Sequence, residues 1–132
     1  MKYLSYLMLI CSFIFVNNSY TQDTVEKPKA YFSLTDSFIQ FGTIKEGASK
    51  TVIVTFTNTG KKPLIISSVY TNCGCTEIDY PKEPFMPGKS GTIKITYNAT
   101  EGEGAFSKTV TVYTNAKNNK ETLKIEGIVL SK

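Results

Sequence analysis

Between Tyr31 and Leu130 apolar side chains recur at every second position, and a period of two restricts the chain to extended strands with one buried face. Val52, Val54 and Phe56 alternate with Thr51, Ile53, Thr55 and Thr57, and Ile93, Ile95 and Tyr97 alternate with Thr92, Lys94 and Thr96. Val110 and Val112 alternate with Thr109, Thr111 and Tyr113, while Leu123 and Ile125 alternate with Thr122, Lys124 and Glu126. No window carries a sustained helical stripe. Strands are expected over residues 31–35, 39–44, 49–58, 64–70, 91–98, 106–115 and 121–130. Clusters of Gly, Asn and Pro lie between them, where the backbone must reverse. About seven short strands in a segment of this length predict an all-β fold, an immunoglobulin-like antiparallel β-sandwich of two sheets. The chain has no Trp, so the buried Trp of antibody domains is absent and the expectation concerns architecture alone.

The first residues read differently. After Met1 and Lys2 comes an apolar run over 3–16, followed by Asn17, Asn18 and Ser19. A positive start, a short apolar core and a polar exit with small residues predict a secretory signal peptide over 1–21. The run is shorter than the roughly 20 apolar residues a membrane-spanning helix needs, so no transmembrane span is expected after cleavage. Ser19 and Thr21 place the cut before Gln22. Cys11 is not expected to be a lipid-modified cysteine, because the apolar core continues beyond it through Val16. Residues 22–30 are polar and without periodicity, a tether leading into a single domain over 31–132. Export would place Cys73 and Cys75 where disulfides form.

Composition removes several functions. There is no His among 132 residues, so imidazole-based triads, proton shuttles and histidine zinc ligands are not available. The 15 basic residues are all Lys and are interspersed with 11 Asp and Glu, a pattern unlike the concentrated Arg, Lys and aromatic face of nucleic-acid modules. Neither an enzyme nor a nucleic-acid partner is expected. Asn58, Gly60 and Pro63 form one structural turn, with Asn and Gly suited to a positive φ, and Pro87 and Gly88 resemble a type II turn. Glu101 to Gly104 lacks the alternating ligands of a calcium loop and reads as a hairpin. Glu77 and Asp79 sit two apart near Tyr70 and Tyr80, and solvated loop charges account for them better than acid–base chemistry does.

Cys73-Gly74-Cys75 is the one constellation with chemical potential. Residues i and i+2 of an extended segment face the same way, and Gly74 lets the backbone bend so that the sulfurs approach. Three states are open: a small-ring, reducible disulfide; two thiolates on a soft ion such as Cu(I), with Met86 as a third ligand; or two buried thiols acting as apolar core residues. No cofactor is expected.

The ordered combination Phe41-Gly42-Thr43-Ile44-Lys45-Glu46-Gly47, Phe56 to Ile66, Cys73-Gly74-Cys75-Thr76 and Pro87 to Ile93, continued by Gly104 to Lys108 and Thr114-Asn115, resembles the DUF1573 family of bacterial envelope proteins. The resemblance implies an exported immunoglobulin-like domain similar to major-sperm-protein and PapD-like domains, and implies no chemistry. The functional expectation is a non-enzymatic interaction or scaffold module in the cell envelope, periplasmic or at the cell surface, with protein partners. The alternative is a thiol-redox or copper-handling protein centred on Cys73 and Cys75.

Overall fold

The computed structural model describes residues 26–132. The expected signal peptide, Cys11 and the first residues of the tether lie outside them. Eight strands follow in chain order: β1 (Phe32–Leu34), β2 (Phe38–Lys45), β3 (Ser49–Asn58), β4 (Ile66–Thr71), β5 (Thr76–Asp79), β6 (Ser90–Asn98), β7 (Gly104–Thr114) and β8 (Lys120–Leu130). They form two four-stranded sheets, one ordered β1-β3-β6-β5 and the other β2-β8-β7-β4. This is the sandwich that the alternation predicts, with two differences in detail.

The first difference is β5. Thr76 and Ile78 turn inward while Glu77 and Asp79 point out, a genuine alternation that four residues with a single apolar member do not advertise. The second is direction. β2 runs parallel to β8, whereas every other pair is antiparallel. Alternation assigns faces and carries no information on strand direction.

Threonines stabilise the outward face of the first sheet. The register sets Thr51 opposite Thr96 and Thr57 opposite Ser90, and each pair is hydrogen-bonded at 2.7 Å. Inward residues build one core with an aromatic cluster near each end. Phe32, Phe56 and Phe85 meet near the start of β6, with Phe56 ring centroids 5.2 Å from Phe32 and 5.0 Å from Phe85. Phe41, Tyr97 and Phe106 meet near its end, where Tyr97 and Phe106 stack at 3.8 Å. Burying each such ring contributes about 1.5–3 kcal/mol.

The last residues of the expected tether are part of this body. Ala30 is fully buried, its carbonyl accepts from the Lys117 amide at 2.9 Å, and the Lys29 carbonyl accepts from the Lys61 amide at 2.8 Å. Gly60 makes that contact possible. A Cβ there would lie 2.3–2.5 Å from the backbone of Lys29, Ala30 and Tyr31. The expected reason for glycine at this turn, a positive φ, does not apply; close approach of two backbones does. Gly88 does need its freedom. Its φ is 82°, and the Lys89 amide donates to the Met86 carbonyl at 3.0 Å, which is type II geometry.

Candidate functional site

β4 belongs to one sheet and β5 to the other, so the residues between them must cross the end of the sandwich. Cys73-Gly74-Cys75 makes that crossing. Its backbone is held by the Thr76 amide on the Cys73 carbonyl at 3.3 Å and by the Asn98 amide on the Cys75 carbonyl at 2.8 Å. Both cysteines are buried, their Cα atoms are 5.2 Å apart, and their sulfurs lie within bonding distance. The Cys75 amide also points at the Cys73 sulfur, 3.2 Å away. Gly74 is exposed, and a Cβ there would meet nothing within 4 Å.

A second crossing occurs at the same end. β6 and β7 lie in different sheets, so Glu101 to Gly104 is not the hairpin expected from its glycines; it also leads across the sandwich. The two crossings meet, and Glu101 Oε1 comes 3.5 Å from the Cys73 sulfur. Lys108 Nζ donates to the other carboxylate oxygen at 2.9 Å. One ligand atom from each of Cys73, Cys75 and Glu101 lies within 4.8 Å of the others. Tyr97 lies beside them, its phenol pushed above its ordinary pKa by burial first and by the Glu101 charge second, with Lys108 opposing.

Met86 does not join the pair. It is exposed on the turn before β6, whereas Cys75 is bonded to the last residue of β6. A strand rises about 3.3 Å per residue, so more than roughly 20 Å separates them. Met86 is therefore too far from the pair to be the third ligand expected for a soft ion, and the side chain beside the sulfurs is Glu101, a residue the sequence singles out only as part of a turn. Twenty-eight positions separate Glu101 from Cys73, and only the two crossings bring them together. Glu77 and Asp79 are exposed on the outer face of β5, and Glu77 accepts from Asn98 Nδ2 at 3.1 Å. Tyr70 is exposed on β4, and Lys82 Nζ sits 3.2 Å over the Tyr80 ring.

Asn58, at the opposite end, is structural and is completely buried. Its Nδ2 donates to the carbonyls of Lys62 at 2.7 Å and Phe85 at 2.9 Å, and its Oδ1 accepts from the amides of Gly60 at 3.0 Å and Tyr31 at 3.3 Å. Pro63 is held separately, its carbonyl accepting from Asn115 Nδ2 at 3.0 Å.

A family model described as a protein of unknown function (DUF1573) matches residues 32–129, which span every strand but the last residue of β8. The chain belongs to the DUF1573 family. No curated protein matches it. Among solved structures, a protein of unknown function from Porphyromonas gingivalis W83 is 17% identical, with a TM-score of 0.65 over 76% of this chain and 46% of that one. The chain therefore spans less than half the length of that protein. A PapD-like domain of human CEP192 is 12% identical, with a TM-score of 0.64 over 92% of this chain and 99% of the domain. The Escherichia coli chaperone DraB is 10% identical, with a TM-score of 0.54 over 77% and 56% of the two chains. The same fold also occurs within larger enzymes, among them a secreted serine protease, VesC, from Vibrio cholerae. At these identities the likeness is one of fold: this DUF1573 chain is a PapD-like sandwich. Among the described residues there is no helix long and apolar enough to cross a membrane.

Proposed function

We propose that this DUF1573 protein is an exported, non-enzymatic interaction module of the cell envelope, and that it receives an extended segment of a partner protein along the free edge of β4. The observation that carries this reading is the contrast among the four edge strands. Edges are normally shielded by shortness, charge or distortion. β1 has only three residues, and β5 has four with Glu77 and Asp79 pointing outward. β2 is interrupted by a bulge at Gln40 and Gly42, and Lys50 Nζ from β3 bonds its Phe41 carbonyl.

β4 has six residues and neither charge nor proline, and its one register shift, between Ile66 and Ser68 at its start, leaves Ser68 to Thr71 in regular pairing with β7. It shares its outer surface with exposed Tyr70 and Tyr113, and Ile65 is exposed just before it. An added strand would gain main-chain hydrogen bonds along this edge and aromatic contacts from the tyrosines, the usual division between affinity and specificity in strand addition. Export is supported by the apolar run over 3–16 and by the paired cysteines.

A photocrosslinking residue placed at position 70 in the producing bacterium is expected to give one reproducible adduct in the envelope fraction, and the same residue at position 77 none. Tyr70→Ala should weaken binding of the crosslinked partner on the order of 30-fold, as for a central aromatic anchor. Adducts of equal yield from both positions, or binding that Tyr70→Ala leaves unmoved, would remove the β4 edge as the binding surface.

A further inference from the structure

We infer that Cys73, Cys75 and Glu101 form a zinc site that exists only while the cysteine pair is reduced. The inference stands on the two crossings at the end of the sandwich and is independent of the β4 edge. With zinc–sulfur bonds of about 2.3 Å and a zinc–oxygen bond of about 2.1 Å, neighbouring sulfur and oxygen ligands of a tetrahedral ion lie about 3.6 Å apart. Glu101 Oε1 is 3.5 Å from the Cys73 sulfur, already that spacing. Only the two sulfurs must separate, to about 3.8 Å by the same bond lengths. Cα atoms 5.2 Å apart allow this by side-chain rotation, while the anchored carbonyls of Cys73 and Cys75 keep the backbone in place.

The donor set favours zinc over copper(I). Two thiolates alone satisfy copper(I) and would leave the carboxylate idle, whereas zinc takes sulfur and oxygen together. Lys108 holds Oε2 and so turns Oε1 toward the sulfurs, the way a neighbouring charge orients a metal ligand. Two thiolates and a carboxylate carry three negative charges, which Zn²⁺ and the Lys108 ammonium between them offset. The exposed side of Glu101 leaves the fourth position to water.

The gate is a two-electron step. An external dithiol gives two electrons and two protons to the Cys73–Cys75 disulfide, yielding two protein thiols and leaving as its own disulfide. Zinc then displaces the two thiol protons. Exchange with an external disulfide, which takes the two electrons together with two protons from water and leaves as its dithiol, re-forms the Cys73–Cys75 bond, removes both sulfur ligands at once and releases the ion.

Purified protein, reduced with a dithiol and freed of it without oxygen, should be titrated with Zn²⁺ against a chromophoric chelator, beside the untreated disulfide form. Co²⁺ in place of zinc should give thiolate charge-transfer absorption. The reduced chain is expected to bind one zinc and the disulfide form none. Glu101→Gln, at an exposed position, should keep the fold and weaken zinc binding by at least about 10-fold, and Cys73→Ser should abolish it. One zinc shared by two chains would overturn the inference. So would equal binding by the disulfide form, an affinity that Glu101→Gln leaves unchanged, or a preference for copper(I) that is indifferent to Glu101.

Discussion

Replacing Asn58 by Ala is expected to destabilise the protein by about 3–5 kcal/mol, although the residue sits in a turn. The Asn58 amide group is completely buried and uses both of its hydrogens and its oxygen, so truncation strands the Lys62 carbonyl and two amides at once and leaves the Phe85 carbonyl with the Leu64 amide alone. Each buried group left without a partner costs about 1–3 kcal/mol, and partial entry of water keeps the total below the sum. Those four partners come from the entry to β1, the turn after β3 and the loop before β6. The loss should therefore appear as a single cooperative transition displaced downward, by more than about 10 °C in thermal melting.

Asn58→Asp sharpens the test. It keeps an acceptor for Gly60 and Tyr31 but sets a second oxygen against the carbonyls of Lys62 and Phe85. The folded state then favours the protonated acid, so the folded pKa lies above the unfolded one. The penalty grows as pH rises through that interval and shrinks again on acidification. Denaturant melts between pH 4 and pH 8 would show it, and a pH-independent loss would contradict the hydrogen-bond assignment.

The second large effect is expected from Gly127→Ala. Gly127 lies opposite Phe106 in the β7–β8 pair and opposite Gly42 in the β2–β8 pair. A Cβ there would meet the Phe106 ring at 2.5–2.6 Å and the Gly42 carbonyl oxygen at 2.9 Å. The ring is confined, because it is stacked on Tyr97 and makes a T-shaped contact with Phe41. Overfilling a packed core costs about 1–3 kcal/mol, and the added backbone contact places this substitution at the upper end. Phe106→Leu alone should also destabilise, by loss of the stack. Combined, the two should cost less than their sum by about 0.5–3 kcal/mol, because the smaller side chain vacates the space the methyl needs. Strict additivity in a double-mutant cycle would mean that the ring and the new methyl do not meet.

These two positions mark where the sequence stops being legible. The seven expected strands are all present within a few residues, because each buries one face and leaves a two-residue period in plain view. β5 is missed for want of apolar residues, and the parallel course of β2 for want of any directional signal. Asn58 reads as a turn former, and nothing local reveals that its amide serves partners up to 27 positions away. The cysteine pair is legible because its members are neighbours in sequence. Glu101 is not, because its place beside Cys73 depends on two crossings that only the assembled sheets define.

β8 lies in the interior of its sheet, between β2 and β7, although it is made last of the eight. Until it arrives, β2 has no neighbour to bond with in that layer. A polypeptide delivered N-terminus first, from a ribosome or through a membrane pore, thus cannot seal the hydrophobic interior of this domain before β8 has emerged. The domain stays threadable until β8 has followed β7 out, and locks shut only then.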